Sequence, residues 1–308
     1  MSPPPRRDPQ KFALLRRALV QAAQAQGRSF VWAQGQYIRE QFLLRLRLAL
    51  PKQTLTLKGA TLLPVWLGPQ ARPTETLNLQ QTDALGAIDP EALRKLTAQI
   101  CEADADLPQR LDDCLYFVGT SVALQPQRLA SGYATTAVSL RVELGGRPSV
   151  FMFDVCANRT PTLRSVPVQL PAPLVTQAQA GALLPTCAPL QGAAAEHFAA
   201  EKLHCLNSAS SPGAEPFSRP QDLWDLYCLV EAEKLERAAL KAALHTVFER
   251  RQSAPLRAVP ELLQADSAHY PLLEAAWRHY VRQQKFAAPP DCAAVMQRLA
   301  VYLTALPI

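Results

Sequence analysis

The sequence predicts an α+β fold in which two helices precede a mixed-sheet core and an all-helical half follows. Three observations predict it. Apolar residues recur at helical spacing over residues 8–49. Short apolar runs broken by glycine and proline turns occupy 54–156. From 194 the helical spacing returns and continues to about residue 305. The expected division is 1–50 as N-terminal helices, 51–192 as the core and 193–308 as a C-terminal helical domain.

The elements follow in chain order. Phe12, Leu15, Ala18, Leu19 and Ala22 mark one amphipathic helix over 8–27. Tyr37, Ile38, Phe42, Leu43 and Leu46 mark a second over 31–49. Thr54–Leu57 reads as a short strand, Leu57–Leu63 as a glycine turn running into a short helix, and Thr74–Leu79 as a second strand. A helix over 89–102 has Asp89 at its N-cap and Pro90 at its first position. Residues 114–121, 133–143 and 149–156 read as consecutive strands. Leu144-Gly145-Gly146-Arg147-Pro148 is a hairpin turn between the last two. Residues 160–192, rich in Pro, Ala and Gln, read as an irregular connection. Helices are then expected at 194–209, 220–231, 233–250, 271–285 and 289–305.

Composition narrows the function classes. Of 308 residues, 48% are hydrophobic and 19% charged, which supports a sizeable core and excludes global disorder. The net charge of +6 suits nucleic acid or nucleotide phosphates without requiring them. The 7 cysteines include no CxxC pair, and no histidine joins them at metal-ligand spacing. A disulfide framework and a structural zinc site are therefore not expected. No apolar run is long enough for a transmembrane helix. Asp8, Gln10 and Lys11 follow Arg6-Arg7 where a signal peptide would be apolar. The expectation is a cytoplasmic protein with a Pro-rich, disordered start at 2–5 and no membrane partner.

A few residues could carry chemistry. A glycine turn at a helix start, at Gly59, offers backbone N–H groups to phosphates. Taken alone, such a glycine is more often an ordinary strand-to-helix turn. Asp154 closes the apolar strand Val150-Phe151-Met152-Phe153 and could hold a cation or simply face solvent. Lys202, on the alanine-rich helix around Glu196–Leu203, could grip a triphosphate or lie on a solvated helix face. Arg219, Asp222 and Asp225 fall at a helix start, where first-turn acids also favour the macrodipole.

Taken in order, these pieces resemble the AbiEii/AbiGii family of nucleotidyltransferase toxins. The family opens with Leu-Lys-Gly-Gly-Thr-x-Leu and then Arg-x-(Ser/Thr)-x-Asp-Leu-Asp-(Leu/Phe). Here the first stretch is Leu57-Lys58-Gly59-Ala60-Thr61-Leu62-Leu63, and the second is Arg72-Pro73-Thr74-Glu75-Thr76-Leu77-Asn78-Leu79. Phe153-Asp154-Val155 resembles the family's strand-end acid. Glu196 through Lys202 to Leu203 resembles its Glu-x-x-x-Ala-Glu-Lys-Leu, and Ser218 through Leu226 its Ser-Arg-x-Lys-Asp-x-x-Asp-Leu. Thr246-Val247-Phe248-Glu249-Arg250-Arg251 and Trp277 resemble its tail, so the likeness spans roughly residues 10–306.

The resemblance implies a polymerase-β-like nucleotidyltransferase core. It implies magnesium as cofactor, a nucleoside triphosphate as substrate, an acceptor such as tRNA and a cognate antitoxin as partner. By it, Asp154, Lys202 and Asp222 are the catalytic candidates. Lys58, Gly59, Ala60, Thr61, Arg72, Lys202, Arg219 and Asp225 are the nucleotide-binding ones, and Thr76, Asn78 and Asp154 form the metal set.

That metal set departs from the family pattern. Two carboxylates at i and i+2 on a strand would point to one face and bind magnesium together. Thr76 and Asn78 stand in those two places, Ala60 replaces the second glycine, and Gln221 replaces a lysine. Glu75, the adjacent residue, faces the other way along a strand. Two readings therefore stand. One is an active enzyme with a rearranged metal site. The other is a pseudoenzyme that binds nucleotide, RNA or protein.

Overall fold

Local rules place most of the elements. Helix α1 (Pro9–Ala25) starts where the Asp8 carboxylate accepts the amides of Gln10 and Lys11. Helix α2 is Phe30–Ala49. Strand β1 (Leu55–Lys58) runs into a 3-10 turn, Gly59–Leu62, and helix α3 (Leu63–Leu67). Strand β2 is Asn78–Leu85, and helix α4 (Pro90–Glu102) is capped by Asp89 as expected. Strands β3 (Leu115–Phe117), β4 (Ala123–Arg128), β5 (Ala134–Leu144), β6 (Arg147–Asn158), β7 (Ser165–Val168) and β8 (Leu190–Ala193) follow. The chain closes with α5 (Ala195–Ala209), α6 (Pro220–Glu231), α7 (Arg237–Arg250), α8 (Tyr270–Gln284) and α9 (Cys292–Thr304). The computed structural model describes residues 8–49, 55–85, 88–103, 113–128, 134–158, 165–171, 174–175, 189–209, 219–264, 267–284 and 289–306. The Pro-rich start at 2–5 and much of 160–192 lie outside the described residues.

The chain divides into two compact units. The first comprises residues 1–61, 73–161 and 167–192, and the second 62–72, 162–166 and 193–308. The first unit carries the sheet, of order β3-β5-β6-β2-β1-β8-β7, with β4 on β5. The sheet is mixed. β1 and β2 are antiparallel, as are β5 and β6, while β2 runs parallel to β6 and β1 parallel to β8. The β5–β6 hairpin turns at Gly145–Gly146, both at positive φ, and a Cβ on Gly145 would lie 2.3 Å from the Phe12 ring. Helix α2 packs on the sheet through Phe42, whose ring centroid is 4.9 Å from those of Phe151 and Phe153 and 5.8 Å from Phe117.

Several buried polar groups in this unit are paired. Arg45, 1% exposed, meets Asp113 at 2.6 Å and lies over the Phe117 ring, and the Tyr37 hydroxyl donates to the Asp113 carbonyl. Glu40 accepts from Gln36 Nε2 and from the Leu174 amide. Burial pushes its pKa from 4.5 up to about 7, against the pull of those hydrogen bonds and of Arg39. An unfolded Glu40 gives up its proton first as pH rises. Folding stability is therefore expected to fall between about pH 4.5 and 7, by roughly 2–3 kcal/mol from this group. Thermal melts across that window should show the slope, and Glu40→Gln should flatten it. An unchanged slope in that variant would assign the effect elsewhere.

The second unit is helical. Its core gathers Leu203, Leu206, Leu223, Leu226, Leu240, Phe248, Trp277, Val295 and Leu299, all nearly inaccessible to solvent. No helix among the described residues is long and apolar enough to cross a membrane.

Several expectations need correction. The strand expected at 74–79 begins only at Asn78. The Thr74 carbonyl is taken by Arg39 Nη1 and the Thr76 carbonyl by Thr61 Oγ1, so neither enters the ladder. The run 114–121 is strand only to Phe117 and then a 3-10 turn, Gly119–Ser121. Strand β4, which contains Pro126, was not expected. It pairs with β5 on one side alone, where a proline is tolerated. β7 and β8 lie within the segment expected to be irregular. The helix expected from 233 starts at Arg237, because Glu233 turns the chain at φ 53° and Glu236 caps the new helix.

Candidate functional site

The candidate residues fall in both units, and each set is built by its own elements. In the first unit, Asn78 opens β2 between Lys58 of β1 and Asp154 of β6, its register partners on either side. The Asp154 amide donates to the Leu77 carbonyl at 2.9 Å, which locks that register. Cross-strand partners share a face, so Asn78 and Asp154 lie side by side. Gly59 follows Lys58 at φ 73°, and a Cβ there would stand 3.0 Å from Asn78 Nδ2. Glycine is needed both for the turn and for the approach of Asn78. Ala60 and Thr61 continue the 3-10 turn, and Lys58 is buried in β1.

The two former acid positions form a neutral polar chain. Asn78 Nδ2 donates to Thr76 Oγ1 at 3.4 Å, and the Thr74 and Thr76 hydroxyls lie 3.3 Å apart. Thr76 and Asn78 thus project together, as the i and i+2 spacing requires. Asp154 is the remaining carboxylate, and burial raises its pKa. These residues do not fit a two-magnesium cage. Magnesium selects anionic oxygen ligands, and here one acid stands beside an amide and two hydroxyls. Among the described residues no group of three or more His, Cys, Asp or Glu is placed to share a metal.

The second unit holds an ion cluster. Lys202 of α5 reaches Asp222 Oδ1 and lies 3.1 Å from Asp225 Oδ2, both acids on α6. Arg72 grips Asp225 with two hydrogen bonds, Nε at 2.7 Å and Nη2 at 2.8 Å. Arg219 Nε lies 3.2 Å from Asp222 Oδ2. The Lys202 ammonium also sits 4.5 Å from the Phe198 ring centroid. Burial opposes the charge on Arg72, but the Asp225 hydrogen bonds and charge outweigh it, and the pKa rises. Pro220 at the first position of α6 sets the helix start, so Asp222 and Asp225 rise from the first turns toward Lys202. Three cations face two carboxylates. Lys202 and both acids are nearly inaccessible and Arg72 is largely covered, while the Arg219 side chain is 55% exposed. Of the two alternatives for Lys202, the solvated helix face does not hold, because the lysine is a buried ion-pair member. The member of this cluster exposed enough to meet an anion is Arg219.

A second polar group in this unit joins Arg251 of the tail motif to His204 and Ser253, which no sequence motif singled out. His204 Nε2 is 2.8 Å from Ser253 Oγ, which suggests a nucleophile and its base. Arg251 Nη1, always a donor, lies 2.8 Å from His204 Nδ1. Nδ1 must accept, so Nε2 carries the proton and donates to the serine. Burial and then Arg251 hold the imidazole down to about 4, and the pair is structural.

The mixed sheet with a glycine turn beside paired strand positions, joined in one chain to a helical unit, defines a nucleotidyltransferase-like protein. The profile described as "Nucleotidyl transferase AbiEii toxin, Type IV TA system" matches residues 41–301. The chain belongs to that family of nucleotidyltransferase toxins of type IV toxin–antitoxin systems. The family generally uses a nucleoside triphosphate and a divalent cation, and it implies a cognate antitoxin. No curated protein matches. Among solved structures, the chain is 14% identical to JHP933 from Helicobacter pylori, covering 81% of this chain and 97% of that one at a TM-score of 0.41. A second H. pylori protein, described as a putative nucleotidyltransferase, is 11% identical over 80% of this chain and 94% of its own, at a TM-score of 0.37.

Proposed function

We propose that this chain is a nucleotide-binding member of the toxin family in which two-cation nucleotidyl transfer is impaired. One observation carries the reading: Thr76 and Asn78 occupy the strand positions of the bridging acids and hydrogen-bond to one another. Without two fixed anions, a cation-bridged triphosphate loses its anchor on the sheet. In this reading the Lys58-Gly59-Ala60-Thr61 turn receives phosphate, and the Arg72, Lys202, Asp222 and Asp225 cluster holds α5 and α6 in place. The protein works in the cytoplasm, where nucleoside triphosphates, tRNA and an antitoxin meet it.

A second reading has its own support in the retained cluster of Lys202 with Asp222 and Asp225, and in Asp154 beside Asn78. Here the chain transfers a nucleoside monophosphate to an acceptor such as tRNA. An acceptor hydroxyl attacks the α-phosphorus, pyrophosphate leaves, and the hydroxyl proton is released. As part of a phage-defence system, that transfer would block translation.

Titration with each nucleoside triphosphate by calorimetry, with and without magnesium, tests the first reading. Micromolar binding is expected, together with no label on total tRNA from α-labelled triphosphates. Label that appears with the unmodified protein and vanishes in Asp154→Ala would establish the second reading. No binding by any triphosphate would sink both.

A further inference from the structure

The cleft beside the first residues of β6 holds charge and hydrogen-bonding capacity that the fold does not use. Its volume is about 360 Å³, and its walls include Trp32, Ile38 and Arg39 of α2 together with Glu75, Val150 and Met152. Ligand clefts begin near that size, at about 300 Å³. Arg39 is 6% exposed, yet its hydrogen bonds go to neutral groups alone. Nη1 donates to Gln36 Oε1 at 2.7 Å and to the Thr74 carbonyl at 2.6 Å, and the Nε and Nη2 groups meet no acceptor among the described residues. Burial lowers the Arg39 pKa, and the charges of Glu40 and Glu75 offset that only in part. Trp32 adds a second unused donor, a buried indole N–H with no partner among the described residues. A covered cation without a fixed anion is costly, and an anion in the cleft removes that cost.

The backbone along the cleft is free as well. The Asp154 amide points to Leu77, so the amides and carbonyls of Met152 and Val150, two and four residues earlier, point to the same edge. β2 pairs with β6 only from Asp154 onward, and among the described residues no strand covers the edge before it. The free stretch is short. Pro148 has no N–H to offer at one end, and Leu77 holds the Asp154 amide at the other. A strand passing through would run into β2, whereas a chain that ends here would not. We propose that the cleft binds the C-terminal residues of a partner polypeptide whose last residue is apolar. The terminal carboxylate takes the free N–H groups of Arg39, and the backbone before it pairs with Val150 and Met152. The last side chain packs on Ile38 and Phe151 in the cleft wall. An amino terminus would be repelled by Arg39. A nucleotide phosphate would satisfy the guanidinium but leave the strand edge unpaired, so the edge decides for a peptide.

Fluorescence anisotropy of the full chain tests this with labelled pentapeptides that end in a free carboxylate. Their last two positions cover Val, Ile, Leu, Met and Phe. At about 100 µM protein at least one member should bind. Amidating the C-terminus of that peptide should weaken binding about tenfold or more, because a hydrogen-bonded charge is lost. Met152→Pro removes only an amide that points to the open edge, at a residue that is 60% exposed. The circular dichroism should therefore stay unchanged while binding of the same peptide falls by a similar factor. Binding by no member overturns the proposal, as does binding that ignores amidation or survives Met152→Pro. A single-stranded RNA of random sequence that binds where the peptides do not overturns it too, and assigns Arg39 to a phosphate. None of these outcomes depends on triphosphate binding, which the calorimetric titration reads separately.

Discussion

Thr76→Asp combined with Asn78→Asp is expected to convert this protein into a magnesium-dependent nucleotidyltransferase. Both positions accept the change. Asn78→Asp keeps the shape that Gly59 admits at 3.0 Å, and Thr76 is exposed, with its hydrogen bond to Thr61 made by the backbone carbonyl. The new carboxylates would project with Asp154 toward one point. Without a cation, three acids in such proximity repel one another, and burial already raises the Asp154 pKa. The double variant should therefore be less stable than wild type in EDTA. Magnesium should reverse the deficit, by about 2.7 kcal/mol at a hundred times the dissociation constant. Wild type should show little magnesium-dependent stabilisation. Transfer of label to tRNA should rise by at least about a hundredfold, since a bound cation supplies several kcal/mol of charge stabilisation. A variant that gains magnesium binding but no transfer would mean that the defect extends beyond Thr76 and Asn78. A variant whose melting midpoint ignores magnesium would show that Asp154 is not placed to complete the set.

The sequence revealed most of the helices, part of the sheet and the order of the motifs because these depend on local patterning. Gly59, Asp89 and Gly145-Gly146 each announce a turn or cap through chemistry that acts within a few residues. What it concealed was decided by distant partners. Strand β2 starts late because Arg39 and Thr61 take the carbonyls of Thr74 and Thr76, and nothing near residue 74 signals that. Arg45, a charged residue outside the apolar pattern of its helix, is 1% exposed because Asp113, far along the chain, pairs with it.

Lys202→Met is expected to cost about 3 kcal/mol or more of folding stability, and this governs how any loss of function at that position is read. The ammonium joins Asp222 and Asp225, whose side chains are each 1% exposed. Removing it leaves two neighbouring carboxylates in a desolvated setting, a loss of about 3–5 kcal/mol in comparable buried clusters. Arg72 still holds Asp225 with two bonds and Arg219 still neighbours Asp222, which keeps the value toward the lower end. The total stability of a domain is only about 5–15 kcal/mol, so the variant should melt well below wild type. Adding Asp222→Asn removes one of the stranded charges and should recover part of the loss, a coupling that a double-mutant cycle measures. Inactivity in Lys202→Ala therefore cannot by itself identify a phosphate ligand. Arg219→Ala is the cleaner probe, because that half-exposed guanidinium makes a single weak ion pair and its removal should cost under about 1 kcal/mol. If Arg219→Ala abolishes nucleotide binding with the fold intact, the cluster meets the triphosphate through Arg219. If Lys202→Met keeps the wild-type melting midpoint and loses only binding, the lysine itself is the phosphate contact, and the structural role argued for it is wrong.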